Sequence, residues 1–451
     1  MNNNEKKTAI RFLIIDHQAR GHALSCLLAQ SNNVEFVFLS RESLLPRTSC
    51  NKVQPIYWIE KLQPDAYHTI VSFCHENEID CVVIGTAHAM TKGLVDVLVL
   101  ENIKVIGAGK NAAILEGSKS FSKQFFERHN VTTPKYYSCR SINELLAIDS
   151  VAYPCFIKSD SMIKSHYSAV KVSSREEAVN VAIEIFSIQK KRYGFSTYII
   201  LEELCRGREL SVTILMSGKD WVELPICRDY KTLSGKCDIN TGGMGAITPV
   251  PDVGVKLRKS IVDELIRPVV AGMVQESLSY NGFLYFGIMI DTANMPVLLE
   301  LNCRLGDPEG QAIFSLLTAD FVSVLFAAAT GRLQGNFPIA VKSGYICCVY
   351  AVPNGYPKQS DTSFPVLFSE TFENTDKHNF YFGELLQSEQ PNTIMTHNNR
   401  MFCVSARGET LFLARKLAYQ KLDVIFCDGM YYRHDIGESV IEGVSVEYEN
   451  I

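Results

Sequence analysis

Leu298-Leu299-Glu300-Leu301-Asn302-Cys303-Arg304-Leu305-Gly306-Asp307-Pro308-Glu309 is the densest run of chemistry in the chain. The apolar stretches Gly282–Ile290 and Pro296–Leu301, separated by Asp291–Met295, predict a hairpin that leads into it. On a strand, alternate residues share a face. Glu300, Asn302 and Arg304 are therefore expected to project together, with Leu299, Leu301 and Cys303 on the other side. A carboxylate and an amide oxygen two residues apart are hard ligands of the kind magnesium accepts when phosphates complete its shell. An arginine beside them can hold a carboxylate or phosphate through paired hydrogen bonds. The plain alternative is a solvated edge-strand face, and the Gly-Asp-Pro-Glu continuation argues against it.

Upstream, the first hundred residues alternate buried-strand runs (Arg11–Ile15, Phe36–Leu39, Cys81–Ile84, Val105–Ile106) with helical spacing over Gly21–Gln30, Pro64–Glu76 and Thr91–Leu100. This βαβα order predicts a parallel sheet covered by helices. Such sheets bind ligands at the carboxyl ends of their strands, here the loops after Ile15 and Ile84. The middle of the chain reads as α+β. It has a helix over Gly117–Arg128 and strands at Cys155–Lys158, Val170–Val172, Tyr198–Glu203 and Glu209–Met216. A helix over Ser174–Phe186 is capped by Ser173 or Ser174, and a longer one buries Ile261, Leu265, Ile266, Val269, Val270 and Met273. From about Ser343 the chain returns to strands, with one helix near Thr410–Leu422.

Further candidates flank the first cluster. Asp229-Tyr230-Lys231 leads to Asn240-Thr241-Gly242-Gly243-Met244-Gly245, whose glycines predict backbone N–H groups converging on an anion. Lys158 ends an apolar strand, where a charge is costly without a partner such as phosphate. Lys119 sits in the first turn of a helix, where an uncompensated cation is disfavoured. Glu202, Glu203 and Glu209 place carboxylates where two strands meet, suited to the base and ribose of a nucleotide; paired surface glutamates are the bland reading.

The bulk numbers set limits. The chain has 451 residues, 47% hydrophobic and 21% charged, with a formal charge of −5, which fits two to four globular domains and gives no reason to expect nucleic acid. Fourteen cysteines without a C-x-x-C pair read as reduced core residues. The polar start runs into an apolar stretch too short for a signal or a membrane span. A cytoplasmic protein without membrane or nucleic-acid partners is expected.

With these motifs in place, the chain resembles the glycinamide ribonucleotide synthetase (phosphoribosylamine–glycine ligase) family of the ATP-grasp superfamily. The resemblance rests on Leu115–Lys119, Asn240–Gly245 with Pro249, Gly282–Tyr285, Glu300–Glu309 and Asp428–Gly437, in family order over nearly the whole chain. It implies an ATP-grasp fold with an N-terminal parallel α/β domain and a small C-terminal α+β domain. The segments expected are 1–115 for the substrate-binding α/β domain, 116–200 for the first ATP-grasp part with a small lid, 201–340 for the central part with the metal site, and 341–451 for the C-terminal domain. It implies ATP and Mg2+ (or Mn2+) as cofactors, an amine and an amino acid as substrates, and a monomer or homodimer. Glu300 and Asn302 would hold the metal. Lys119 and Lys158 would contact ATP phosphates, and Glu202, Glu203 and Glu209 would surround the nucleotide. Arg304, Lys158, Asp229 and Gly243 would serve the chemistry. Arg20, His22, His88, Asn240, Gly242 and Arg304 would bind substrate.

Three stretches depart from the family. The glycine-rich Gly-Arg-Glu-His-Ala loop reads Asp16-His17-Gln18-Ala19-Arg20-Gly21-His22-Ala23. The later Gly-Pro-Glu loop reads Gly85-Thr86-Ala87-His88-Ala89, and the flap Ser159–Tyr167 has no glycine. A carboxylate at Asp16 is expected to repel a substrate phosphate at that helix N-terminus, and Ala87 removes an acceptor for ribose hydroxyls. These changes predict weakened phosphoribosylamine binding and a preferred amine other than phosphoribosylamine, with Arg20, His17 and His88 as compensating candidates. Two alternatives stand beside the ligase: a paralogue joining an amino acid to another amine, and a nucleotide-binding protein without catalysis.

Overall fold

The computed structural model describes residues 9–41, 45, 51–57, 63–160, 169–235, 239–278, 280–335, 337–358, 363–368, 375, 378–388 and 394–441. The predicted flap therefore lies outside the described residues except for Ser159 and Asp160.

The first apolar run forms β1 (Ile10–Ile15), followed by β2 (Val34–Arg41), β3 (Val53–Tyr57), β4 (Cys81–Ile84) and β5 (Val105–Ala108). All pair in parallel, in the order β5-β4-β1-β2-β3. Leu13 and Ile15 enter one core cluster and Phe12 and Ile14 the other. Burial on both faces explains why this run is apolar throughout rather than alternating. β3 was not anticipated. Its sequence contains Pro55, which cannot donate to a ladder, and β3 lies at the edge of the sheet, where that is tolerated.

The chain then leaves this sheet to build a small antiparallel one. β6 (Tyr136–Cys139), β7 (Cys155–Ser159), β8 (Ala169–Val172) and β9 (Ile199–Glu203) pair in the order β6-β9-β7-β8. A helix over Arg175–Tyr193 backs them, and the Ser174 side chain caps it by accepting from the Glu177 N–H. Only Leu204–Arg206 separate β9 from β10 (Gly207–Ser217), which belongs to the first sheet again. The carboxylates expected at a strand junction thus sit where the chain crosses between two sheets.

β11 (Asp220–Glu223), β12 (Arg228–Asp229) and β13 (Gly245–Thr248) follow, then β14 (Tyr280–Asp291) and β15 (Pro296–Asn302). β14 pairs with β10 along its length and with β5 at Tyr280 and Asn281, so the parallel half and the antiparallel half form one nine-stranded sheet. The predicted long helix runs over Val255–Gln275 with a π turn at Val262–Ile266, and its six named apolar residues all enter the core.

In the C-terminal part, β16 (Tyr345–Pro353), β17 (Pro365–Phe368), β18 (His378–Phe382), β19 (Leu385–Gln387), β20 (Ile394–Thr396), β21 (Phe402–Gly408), β22 (Ile425–Phe426) and β23 (Met430–Tyr432) complete two more sheets. One runs β12-β13-β16-β21-β18 with β23 on β16, so β12 and β13 tie the central region to the C-terminal one. The helix Leu411–Leu422 is capped by Thr410. Among the described residues, no helix is long and apolar enough to cross a membrane.

Candidate active site

The hairpin β14–β15 delivers the decisive stretch. Leu298, Leu301 and Cys303 are buried in the core, and Glu300, Asn302 and Arg304 face the cleft. Leu299 departs from the expected alternation. The register slips at this point, with Gly287 opposite Glu300 but Ile288 opposite Leu298, so Leu299 is the extra residue of a bulge and stays half-exposed. The bulge restores the parity that puts Glu300 and Asn302 on the open side.

Cations converge on Glu300. Burial alone would raise its pKa, but Lys231, Lys119, Lys158 and Arg304 outweigh it and bring the carboxyl down to about 2. Lys231 lies 3.9 Å from Glu300 and 3.0 Å from Glu209. Lys119 opens the helix Lys119–Arg128, whose N-terminus is fixed twice. Ser118 accepts from the Phe121 N–H, and the Asp160 carboxylate accepts from the Ser120 N–H at 2.6 Å. The residue at the root of the flap thus anchors the helix that carries Lys119.

Arg304 is aimed rather than free. Its Nε donates to Glu116 Oε1 at 2.8 Å and an Nη to Asn302 Oδ1 at 3.2 Å, while the other Glu116 oxygen accepts from the Cys303 N–H at 2.8 Å. Glu202 is an internal counter-ion: Lys158 and Lys123 both pair with it, the latter at 2.5 Å, and all three are largely buried. Burial pushes Glu202 up, and the two lysines reverse the shift to below its ordinary value. Burial also lowers Lys123 to about 8. Glu203 stands apart on the rim, 3.6 Å from Lys135.

The glycine-rich loop does something other than expected. The N–H of Gly242 donates to the Tyr356 hydroxyl, that of Gly243 to Thr241 Oγ1, and that of Met244 to the Tyr230 carbonyl. No anion nest is formed by these three donors, because each is already spent. Close approach is what the glycines permit. Gly243 has φ +106°, and a Cβ there would lie 2.5 Å from Pro308 Cδ and 2.8 Å from the Asp307 carbonyl oxygen. Arg400 clamps the other side of this contact, donating to the carbonyls of Gly242, Gly243 and Asp307 and to the Asp307 carboxylate at 2.9 Å. Asn240 bridges to Thr232 at the base of the loop. Asp229 sits beneath Gly243 with its Oδ1 buried and without a hydrogen-bond partner. Burial and then Glu309 raise its pKa well above the ordinary value, favouring the protonated form.

At the carboxyl ends of β1 and β4, Asp16 and Gly85 are neighbours. Asp16 is buried and accepts from the Gln18 N–H at 3.0 Å and from Arg20 Nε at 2.7 Å, and Arg20 continues to the Gly85 carbonyl at 2.8 Å. Asp16 therefore does not stand as an uncompensated charge, because Arg20 pairs with it. His22 does not reach a substrate. It is fully buried against Phe382, its Nδ1 accepts the Phe382 N–H, and burial followed by the nearby Arg41 charge lowers its pKa to about 3. His88 is exposed in the short helix after β4.

Sequence reasoning quoted but did not assign Glu116, Lys231 and Glu309, which lie inside the motifs it used. Lys123 and Arg400 carried no local signal, since their roles arise from residues far away in the chain. Among the described residues no cluster of three or more His, Cys, Asp or Glu side chains is arranged to hold a metal. Glu300 and Asn302 supply two oxygen donors, which fits a magnesium ion that keeps phosphate and water ligands.

Three family matches cover the chain: the phosphoribosylglycinamide synthetase N domain over residues 10–116, its ATP-grasp (A) domain over 117–310 and its C domain over 346–439. The chain is 32% identical to a phosphoribosylamine–glycine ligase from Clostridium acetobutylicum, over 95% of this chain and all of that one. It is 31% identical to one from Escherichia coli, over 96% and 99%. The crystal structure of phosphoribosylamine–glycine ligase from Thermotoga maritima superposes with a TM-score of 0.76 at 25% identity, covering 95% of this chain and all of that one. A biotin carboxylase–nucleotide complex from Campylobacter jejuni shares the fold at TM-score 0.69 and 14% identity, covering 94% and 93%. The chain belongs to the phosphoribosylglycinamide synthetase family and is an ATP-grasp carbon–nitrogen ligase.

Proposed function

We propose that this chain joins glycine to phosphoribosylamine. A glycine carboxylate oxygen attacks the γ-phosphorus of ATP, releasing ADP and leaving an acyl phosphate. The amine nitrogen then attacks the acyl carbon, the C–O bond to phosphate breaks, and the nitrogen gives up a proton to leave an amide. The observation that carries the reading is the Glu300 carboxylate, 3.9 Å from Lys231 and under the charge of Lys119, Lys158 and Arg304 as well. Phosphoryl transfer of this kind depends on positioning and on cations placed where charge spreads.

Magnesium (or manganese) fits Glu300 and Asn302, and when bound it neutralises phosphate charge. Lys119, Lys158 and Lys231 reach the phosphates. Arg304, held by Glu116, takes the substrate carboxylate, and the buried Asp229 lies beneath the Gly243 contact. Glu202 and Glu209 act as counter-ions that hold the lysines until nucleotide replaces them. Arg20 remains a candidate for the amine side, and His88 lines its approach. A cytoplasmic monomer or homodimer is part of the proposal; twelve described cysteines are unpaired, as in a reducing compartment.

The test is coupled assay of ADP and amide formation with phosphoribosylamine generated in situ, glycine and Mg2+. Equimolar ADP, phosphate and glycinamide ribonucleotide, formed only with all components, is the expected result. Turnover with a different amine alone would replace the assigned substrate. ATP binding without ADP release under any pairing would point to a binding protein.

A further inference from the structure

The C-terminal region sends one acidic side chain, Glu384, to the carboxyl end of the first sheet. Its backbone is fixed from several directions. Arg41, fully buried at the end of β2, donates to the carbonyls of Phe382, at 2.9 Å, and of Gly383. His22 accepts the Phe382 N–H, the Gly383 N–H goes to the Met401 carbonyl at 2.7 Å, and the Glu384 N–H goes to the Arg400 carbonyl at 3.0 Å. Two deeply buried groups of the N-terminal domain, His22 and Arg41, thus locate Glu384 against the loop after β1.

The side chain meets that loop. Oε1 accepts from Asn399 Nδ2 at 2.8 Å and lies 3.5 Å from the amide nitrogen of Gln18, which caps the helix Ala19–Ala29. Oε2 is 3.0 Å from His397 Nδ1. The Glu384 side chain is 17% exposed, so it is not wholly enclosed by these partners. Gln18 lies in the loop that follows β1, so Glu384 stands beside the carboxyl end of that strand. Burial pushes Glu384 up, but the Asn399 and His397 hydrogen bonds outweigh it and keep the carboxyl ionised.

This carboxylate differs from its neighbour. Asp16 is committed to Arg20, whereas Glu384 is held mainly by an amide and an imidazole, and an ionised carboxylate has about four acceptor positions. Ligands of parallel sheets bind at this end of the strands. The first turns of the helices after β1 and β4 place Gly21 and Ala87 there, neither of which can accept a hydrogen bond through its side chain.

We propose that Glu384 is a specificity-determining residue that accepts hydrogen bonds from the hydroxyl groups of the amine substrate, supplying from the C-terminal region the acceptor that the two loops lack. The inference rests on the reading of phosphoribosylamine as that substrate. Calorimetric binding of ribose 5-phosphate, alongside steady-state kinetics, tests it on the full-length protein. Glu384→Gln is expected to weaken ribose 5-phosphate binding and raise the KM for phosphoribosylamine ten- to a hundredfold, the loss of a hydrogen bond to a charged group. The KM values for ATP and glycine stay unchanged. Glu384→Asp should recover part of the loss, and 2-deoxyribose 5-phosphate should bind the wild type more weakly but the Gln variant no worse than ribose 5-phosphate. Unchanged ribose 5-phosphate binding in Glu384→Gln overturns the inference, as does a wild type indifferent to the missing hydroxyl. A uniform rise in all three KM values with a lowered melting temperature, not recovered in Glu384→Asp, also overturns it, by reducing Glu384 to a structural role. If the wild type binds ribose 5-phosphate yet makes no amide from phosphoribosylamine, the assigned reaction fails and the binding comparison still decides the role of Glu384.

Discussion

The two halves of the proposed site, one assigned to nucleotide and the other to amine, are built in opposite ways. On the side assigned to nucleotide, short motifs bring their own chemistry: Glu300 and Asn302 share one strand with Arg304 two residues beyond its end, Lys119 opens a helix, and Lys158 is the penultimate residue of a strand. On the amine side, the loops after β1 and β4 contribute little by themselves. The loop after β1 meets the C-terminal region through Gln18, 3.5 Å from Glu384, and Glu384 is in turn placed by Arg41, His397 and the Arg400 carbonyl. A site made of local motifs should fail sharply when one residue is removed. A site assembled between domains should change its selectivity first.

The largest effect expected is on Glu300. Glu300→Ala should lower Mg2+-dependent ADP release by at least about 100- to 1000-fold, the usual scale for losing one group that stabilises transferred charge, while a cooperative unfolding transition shows that the fold is kept. A folded variant with full turnover would erase the contrast between the halves.

Next comes Glu202, where local function and stability meet. Glu202→Ala leaves Lys123 and Lys158 without their buried counter-ion, and chemical denaturation should show a loss of about 3–5 kcal/mol. The pH dependence has a definite sign. The folded pKa of Glu202 lies below its model-peptide value of 4.5, so its contribution is fully present above that value and disappears as pH falls through the lowered folded pKa. Wild type should therefore lose stability on acidification over that window, and Glu202→Gln should lose less.

A gentler effect is expected on the amine side. Asp16→Asn frees the Arg20 charge without removing its contact to Gly85, so ribose 5-phosphate should bind severalfold more tightly, up to about tenfold for one added charge-assisted hydrogen bond. Weaker binding in this variant would mean that Asp16 itself touches the ligand. Least of all should come from the bulge. Leu301→Ala should cost about 2–5 kcal/mol as a core deletion, while Leu299→Ala should stay below about 1 kcal/mol. Equal costs would show that the strand holds both side chains in the core.

The same contrast explains what the sequence made legible. Parallel strands with apolar residues on both faces, the β14–β15 hairpin and the Ser174 and Thr410 caps depend on neighbours within a few residues, and periodicity reveals them. The Glu300 row was legible for the same reason, although its parity depends on a bulge at Leu299 that alternation alone cannot signal. The Asn240–Gly245 loop was misread because glycine marks close approach as well as open N–H groups, and only the position of Pro308 tells which applies. His22 was read as a substrate ligand, whereas its place is set by Phe382, some 360 positions on in the chain. Arg400 and Lys123 have no spacing rule to betray them, since a guanidinium that clamps three carbonyls looks in sequence like any surface arginine.

The pairing of β5 with β14 at Ala108–Tyr280 and Gly107–Asn281 has a consequence for how the chain is made. During synthesis the first five strands emerge as a sheet whose β5 edge, Val105–Ala108, has no partner until Tyr280 has been translated and the intervening small sheet has been set aside. An exposed apolar edge of that kind recruits other strands, and contacts so distant in sequence form slowly. Fragments ending near residue 116 should aggregate, while fragments carried through β15 should remain soluble. Because the edge is closed by the hairpin that holds Glu300, an abundant soluble chain is one in which the strand carrying Glu300 has already found its place.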